Sequence, residues 1–158
     1  MVQATAERTG AAKKKPNWWT TFAVVGCVVV VLFVLSRPAK LSAAWGDDYD
    51  AALSAAAETD RRVLIAFHSA GCPPCAAMER MVIDTAVVRD ALADFVPVRL
   101  DVRKNLAIAT RYGVRATPTY VITDPDGHLV DGFEGYRGKD AFVGFLKHAL
   151  TLPPHDTR

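Results

Sequence analysis

The chain has 158 residues, of which 51% are hydrophobic and 23% are charged. This is long enough for one domain plus an appendage and too apolar for a wholly disordered chain. Residues 1–42 carry six basic residues and one acidic residue, whereas residues 43–158 carry 13 basic and 16 acidic residues. The larger part is therefore mildly acidic, and no nucleic-acid interface is indicated. Three cysteines are too few for a disulfide-stapled scaffold.

An uncharged apolar run at residues 22–35 dominates the N-terminal segment. With the two tryptophans and two threonines before it, the run would extend about 27 Å as a helix. We predict a membrane anchor over 18–36, a basic cytoplasmic N-terminus at 1–17 and a linker at 37–44. Because more basic residues precede the run than follow it, residues 37–158 are expected outside the cytoplasm, in the periplasm of a Gram-negative source.

A cleaved signal peptide is the alternative interpretation of this run. The order of basic, apolar and small residues fits one, and a passable cleavage site ends at Ala44. Against cleavage, the nine residues 36–44 include two basic side chains, which is long and charged for the region before a cleavage site. Cys27 lies inside the run and is most simply a small apolar residue there.

The rest of the chain alternates predicted helices and strands, and this order favours a sheet with helices on both faces. Asp124-Pro125-Asp126-Gly127 is a strong turn signal before a return strand, and a flexible tail is expected at 153–158. The predicted elements are a helix at 47–59, a buried strand at 63–67, one helix after Cys72 with an apolar face of Met78, Met81, Val82 and Val88 or Leu92, a strand at 95–102, a short helix at 106–112, strands at 119–123 and 128–133, and a helix at 140–150.

Cys72 and Cys75 stand between the buried strand and the helix that follows it. Backbone N–H groups at the start of a helix favour a thiolate over a thiol, so we expect a lowered pKa at Cys72 and a nucleophile near neutral pH. Pro73 and Pro74 fit the first helical turn, where a missing N–H costs little. They also remove two N–H groups that would otherwise solvate the thiolate, which limits the acidity of Cys72.

Three other interpretations of the cysteine pair remain: a structural zinc site, an inert structural disulfide and a copper-binding thiol pair. Zinc would need further ligands, and His68 is the only histidine nearby. A disulfide between Cys72 and Cys75 would close a short ring at the start of a helix. Such a disulfide is easily reduced, unlike one that only stabilises a fold. Redox exchange by two thiols needs neither a metal nor an organic cofactor, and we predict none.

Four segments of the sequence carry a family resemblance. They are VLIAFHSAGCPPC at 63–75, YGVRATPT at 112–119, the turn at 124–127 and the glycine-containing stretch 132–135. On these segments, residues 45–150 resemble a thioredoxin-fold domain. Cys75-x-x-x-Glu79 and the region 81–102 extend the resemblance to membrane-tethered thioredoxin-like proteins and to the C-terminal domain of the transmembrane thiol–disulfide interchange protein.

The resemblance implies a three-layer α/β/α fold with a mixed four-stranded sheet over residues 45–152. It also implies that Cys72 is the nucleophile, that Cys75 is the resolving cysteine and that the Thr117–Pro118 bond is cis. Protein disulfides or dithiols would be the substrates, with an electron donor upstream in the membrane.

Three positions depart from the family pattern. Ala66 stands where many thioredoxins have a buried aspartate that accepts the proton of the second cysteine. Glu79, one turn beyond Cys75, is a candidate for that role; the alternative is an exposed helix carboxylate. Gly71 replaces the usual tryptophan, and His68 is either a packed neutral side chain or a group that tunes the thiolate.

These features together predict a membrane-anchored thiol–disulfide oxidoreductase that exchanges disulfides with exported proteins. The resemblance implies a role as reductant, and an oxidase or an isomerase is the alternative to that role. The alternative is a non-catalytic thioredoxin-like scaffold or chaperone module on the membrane. An intact cysteine pair favours the enzyme, because a scaffold would not need it.

Overall fold

The computed structural model describes residues 44–153 together with the single position Gly26. Within 44–153 the expected alternation of helices and strands is confirmed, and no strand end differs from the prediction by more than one residue. The elements are α1 (Tyr49–Thr59), β1 (Arg62–His68), α2 (Pro73–Met78), a π-helical segment (Glu79–Ile83), α3 (Ala86–Leu92), β2 (Phe95–Asp101), α4 (Leu106–Arg111), β3 (Thr119–Thr123), β4 (Leu129–Glu134) and α5 (Lys139–Thr151).

The four strands form one mixed sheet in the order β2-β1-β3-β4. β1 runs parallel to β2 and antiparallel to β3, and β3 runs antiparallel to β4. The parallel pair is joined by a helical crossover, whereas β3 and β4 need only the short turn that the sequence predicted. The expected mixed four-stranded sheet is therefore confirmed.

β1 is buried on both faces, which explains its continuous apolar sequence. Because side chains alternate along a strand, Leu64 and Ala66 enter one core cluster while Ile65 and Phe67 enter the other. The first cluster also holds side chains from the π-helical segment, α3 and α5. The second holds side chains from α1 and α4, so helices cover both faces of the sheet and make three layers.

The single helix predicted after Cys72 is wrong, because the segment is broken into α2, a π-helical segment and α3. The Asp84 N–H donates to the Glu79 carbonyl five residues back, at 3.0 Å. This wider turn shifts the phase of the apolar face, since each π turn contains an extra residue. Met81, predicted on the buried face, is consequently 62% exposed. At Thr85 the backbone is extended, and α3 begins after it.

The free edge of β2 is covered by the residues just before α1. The Gly46 N–H donates to the Pro97 carbonyl at 3.0 Å, and the Arg99 N–H donates to the Gly46 carbonyl at 2.8 Å. These bonds hold Trp45 beside β2, where the Arg99 guanidinium lies 4.9 Å from the centre of the Trp45 ring.

The predicted membrane anchor at 18–36 lies outside the described residues, apart from Gly26, as do residues 154–158 of the predicted tail. Among the residues that the structure does describe, no helix combines the length and the apolar character needed to cross a membrane.

Candidate functional site

The candidate site lies where β1 ends and β3 begins. The antiparallel register pairs Phe67 at the end of β1 with Thr119 at the start of β3. The loop after β1 leads to Cys72, and the residue before β3 is Pro118, whose peptide bond with Thr117 is cis as predicted. The sheet thus brings the two sequence motifs together although 45 residues separate Cys72 from Thr117.

Cys72 caps the N-terminus of α2, and its sulfur is bonded to that of Cys75. The Cys75 N–H donates to the Cys72 Sγ at 3.2 Å, so one of the free N–H groups of the helix start reaches this sulfur. Pro73 and Pro74 occupy the first turn, as expected. The preceding Gly71 has a φ of 73°, a conformation that side-chain-bearing residues rarely adopt, which explains why a glycine stands there.

Thr117, a predicted site residue through its cis bond with Pro118, also contacts Cys72 through its hydroxyl group, and the Ser69 hydroxyl, which the sequence interpretation missed, contacts that of Thr117. The Thr117 Oγ1–H donates to the Cys72 Sγ at 3.5 Å, and the Ser69 and Thr117 hydroxyls lie 2.9 Å apart. With Thr117 donating to sulfur, Ser69 donates to Thr117. A hydroxyl bond of this kind stabilises a thiolate more than a thiol. The sequence signal for Ser69 is weak, because a small polar residue directly after a buried strand indicates only a loop.

Cys75 lines a different feature, a cleft of about 250 Å³ that we call the Glu79 cleft. Its other walls include Ala66, Glu79, Arg99 and Pro118. Ala66 is the register partner of Arg99, so the small side chain at the position of the family's aspartate leaves room beside the second cysteine. The Glu79 carboxylate reaches this space from the helix side and accepts a hydrogen bond from the Arg99 Nη2.

Glu79 is neither fully exposed nor buried, since the side chains of Glu79 and Arg99 are 36% and 35% exposed. An ion pair this open contributes at most about 1 kcal/mol to folding, so stability alone gives little reason for its presence. Tyr120 lines the same cleft. Burial, and secondly the negative charge of Glu79, raise the pKa of Tyr120 above its ordinary value, so its hydroxyl stays protonated at neutral pH.

His68 lines the Glu79 cleft as well, at the end of β1. Elsewhere in the described part, Asp124, Asp126 and His128 bring possible metal-ligand atoms within 4.8 Å of one another. The Asp124 Oδ1 already accepts the N–H groups of Asp126 and His128 at 3.0 and 2.8 Å. This group therefore closes the turn between β3 and β4, and its hydrogen bonds account for its geometry.

Comparison with known sequences gives consistent matches. A family model described as thioredoxin-like matches residues 44–125. The thiol:disulfide interchange protein DsbD of Ralstonia nicotianae is 31% identical over 108 residues, which are 65% of this chain and 18% of that protein. The chloroplastic thioredoxin Y2 of Arabidopsis thaliana is 30% identical over 95 residues, which are 60% of this chain and 54% of that protein. The chain thus spans about a fifth to about half of these curated relatives.

Solved structures give the same result. A thioredoxin from Thermus thermophilus superposes with a TM-score of 0.64 at 31% identity, and the match covers 70% of this chain and 89% of that one. The oxidised C-terminal domain of Neisseria meningitidis DsbD superposes with a TM-score of 0.58 at 21% identity, covering 67% of this chain and 99% of that domain. The second likeness concerns the fold alone.

The contact between the Thr117 hydroxyl and the Cys72 sulfur generates a prediction. In the reduced protein, Thr117→Val should slow alkylation of Cys72 below neutral pH by about tenfold, because one hydrogen bond to the thiolate is lost. The measurement is the pH dependence of the iodoacetamide rate, with Cys75 and Cys27 replaced. Thr117→Ser is the matched control, since it keeps the hydroxyl. Equal rates for the valine and serine variants would show that the hydroxyl does not stabilise the thiolate.

Proposed function

The chain belongs to the thioredoxin-like family, and we propose that it reduces disulfides of exported proteins while anchored to a membrane. The described domain is a thioredoxin-like disulfide oxidoreductase. The observation that carries the proposal is the Cys72–Cys75 disulfide, placed at a strand–helix junction and facing the cis bond of Pro118. The relatives named as thioredoxins and as a thiol:disulfide interchange protein support it.

The reaction proceeds by two thiol–disulfide exchanges. The Cys72 thiolate attacks one sulfur of a partner disulfide, which forms a mixed disulfide and releases the other partner sulfur as a thiolate. The Cys75 thiolate then attacks the Cys72 sulfur and releases the partner's remaining thiolate. Two electrons pass to the partner, the released sulfurs take up protons, and the chain is left with the Cys72–Cys75 disulfide. We propose that a membrane donor of electrons returns it to the dithiol.

Glu79 is our candidate for the group that accepts the proton of Cys75. The two residues line one cleft, and no carboxylate is available from Ala66. Arg99 holds the Glu79 carboxylate at the cleft wall, so Glu79 reaches the site from the helix while the family's aspartate would reach it from the strand. A carboxylate beside a half-buried thiol is a suitable general base when water bridges the gap.

Membrane anchoring through residues 18–36 is proposed from the sequence pattern. An apolar run behind a basic N-terminus directs the following domain out of the cytoplasm. That location suits the chemistry, since disulfides persist in proteins outside the cytoplasm and a reductant there has substrates.

The proposed roles of the two cysteines predict distinct variants. Cys75→Ser should leave the first attack intact and remove the resolving step, so that partner proteins accumulate as disulfides on Cys72. Cys72→Ser should abolish both insulin reduction and trapping. Insulin turbidity with dithiothreitol and non-reducing mass analysis measure these outcomes, and all chains carry Cys27→Ala so that the third cysteine does not contribute. If Cys72→Ser retains reductase activity, the roles are wrongly assigned. If neither substitution changes any thiol assay, the scaffold alternative is favoured.

The proposed role of Glu79 predicts a slower resolving step. Glu79→Gln should slow decay of the mixed disulfide by about tenfold near neutral pH, less than for many general bases because a thiol ionises at moderate pH. The defect should shrink as the pH rises, since solvent then deprotonates Cys75 unaided. Rapid acid quenching and mass analysis follow the mixed disulfide.

Glu58→Gln is the matched control for this variant, because Glu58 is an exposed carboxylate on α1. Faster decay of the mixed disulfide in Glu79→Gln would contradict the role of Glu79 as proton acceptor. It would show instead that Glu79 neutralises Arg99, whose free charge then stabilises the Cys75 thiolate.

The anchoring proposal predicts a single topology. An alkaline phosphatase reporter fused after Arg158 should be active, because this enzyme needs an oxidising compartment for its disulfides. The chain should also stay in the membrane fraction after an alkaline wash. If the fused reporter is active only in the cytoplasm, the proposed orientation is wrong. If the mature chain begins near Trp45, the apolar segment is a cleaved signal and not an anchor.

A further inference from the structure

A groove beside α4 begins at Thr117, whose hydroxyl and carbonyl oxygens both lie 3.5 Å from the Cys72 sulfur. The groove has a volume of about 450 Å³. We call it the α4 groove and define it by Arg103, Leu106, Arg115 and Thr117 among its lining residues. Because Thr117 belongs both to the groove and to the sulfur contact, a segment bonded to Cys72 lies beside the groove within its next few residues.

The apolar part of the α4 groove is exposed to solvent. Leu106 is 69% exposed, the highest fraction of any large apolar side chain within 44–153. It opens α4 and belongs to neither core cluster. A single exposed leucine is ordinary on a protein surface, but this one lies in a concave feature that includes Thr117, the residue in contact with the Cys72 sulfur. An apolar side chain of a bound segment would be removed from water here.

The charge around the groove is opposite to that of the domain. Between Asp101 and Asp124 the sequence has four basic and no acidic residues, although residues 43–158 have an excess of acidic ones. Arg103 and Arg115 are exposed, and their guanidinium groups form no ion pair with any other described residue. The Asp101 Oδ1 accepts the Arg103 backbone N–H at 2.8 Å, which ties that carboxylate to the turn. Two guanidinium groups therefore remain for carboxylates of a partner.

We propose that the α4 groove docks an extended segment of the partner protein that carries apolar and acidic side chains next to its reactive cysteine. This inference rests on the proposed function, because exchange at Cys72 is what brings a partner cysteine to the end of the groove. The apolar side chain covers Leu106, and the carboxylates pair with Arg103 and Arg115. Charges on the rim speed the approach of acidic segments and disfavour basic ones, so they select the partner.

The test uses the reduced full-length chain with Cys27→Ala and two matched peptides, each holding one cysteine as a disulfide with 2-thiopyridine. One peptide flanks the cysteine with glutamate and leucine, the other with lysine and leucine. Release of the neutral thiopyridone reports attack by the protein, and the Cys72→Ser chain supplies the blank. Each rate is divided by the rate with 2,2′-dithiodipyridine, a small neutral disulfide that does not need the groove.

The glutamate peptide should react about tenfold faster than the lysine peptide at low salt. This ratio should fall towards one at about 0.5 M salt, where charges are screened beyond a few ångströms. The ratio of the two rates should also fall in the double variant Arg103→Gln/Arg115→Gln. Leu106→Ser should slow both peptides relative to the small disulfide. Lys147→Gln is the control for charge, since Lys147 is an exposed cation on α5, in the opposite helix layer, and should leave the ratio unchanged.

A ratio that survives in the double arginine variant, or that falls equally in Lys147→Gln, would overturn docking at the α4 groove while leaving the exchange chemistry intact. A chain that reacts with neither peptide nor 2,2′-dithiodipyridine would instead overturn the proposed function, and the docking inference with it. The two failures are therefore distinguished by the small disulfide.

Discussion

The pairing of β1 with β3 is the interaction on which the candidate site depends. Its register sets Phe67 opposite Thr119, so the loop after β1 and the cis bond before β3 meet at one end of the sheet. Burial of β1 on both faces fixes that register, because a slip of one residue would exchange the side chains of the two cores. The contact between Cys72 and Thr117 is thus a consequence of sheet packing.

Much of this arrangement could be predicted from local sequence. The strands are apolar runs bounded by turn residues, and the turn at 124–127 has the composition that closes a hairpin. Cys72 and Cys75 are indicated by their place between a buried strand and a helix, and Pro118 by the family resemblance of the segment around it, residues 112–119. In each case the signal lies within a few residues, so no knowledge of distant contacts was needed.

The parts that could not be predicted are an irregular helical turn and a contact between residues distant in sequence. The apolar spacing of Met78 and Val82 fits an uninterrupted helix, and nothing in it shows the wider turn that exposes Met81. The partner of Glu79 was also unforeseen, because Arg99 arrives from β2 only through its register with Ala66. Sequence periodicity reports which face of an element is apolar, but it does not report which polar groups the sheet brings together.

The two cysteines contact different surroundings, and this separation matches the order of the proposed reaction. Cys72 contacts Thr117, at the end of the cationic α4 groove, whereas Cys75 lines the Glu79 cleft. A partner held along the first feature can therefore react at Cys72 without covering the group that we propose deprotonates Cys75. The Glu79 carboxylate lies in the cleft beside Arg99 and does not line the groove, where negative charge would weaken the attraction of an acidic partner. The replacement of the family's aspartate by Ala66 and the cationic character of the groove are then compatible features of one site.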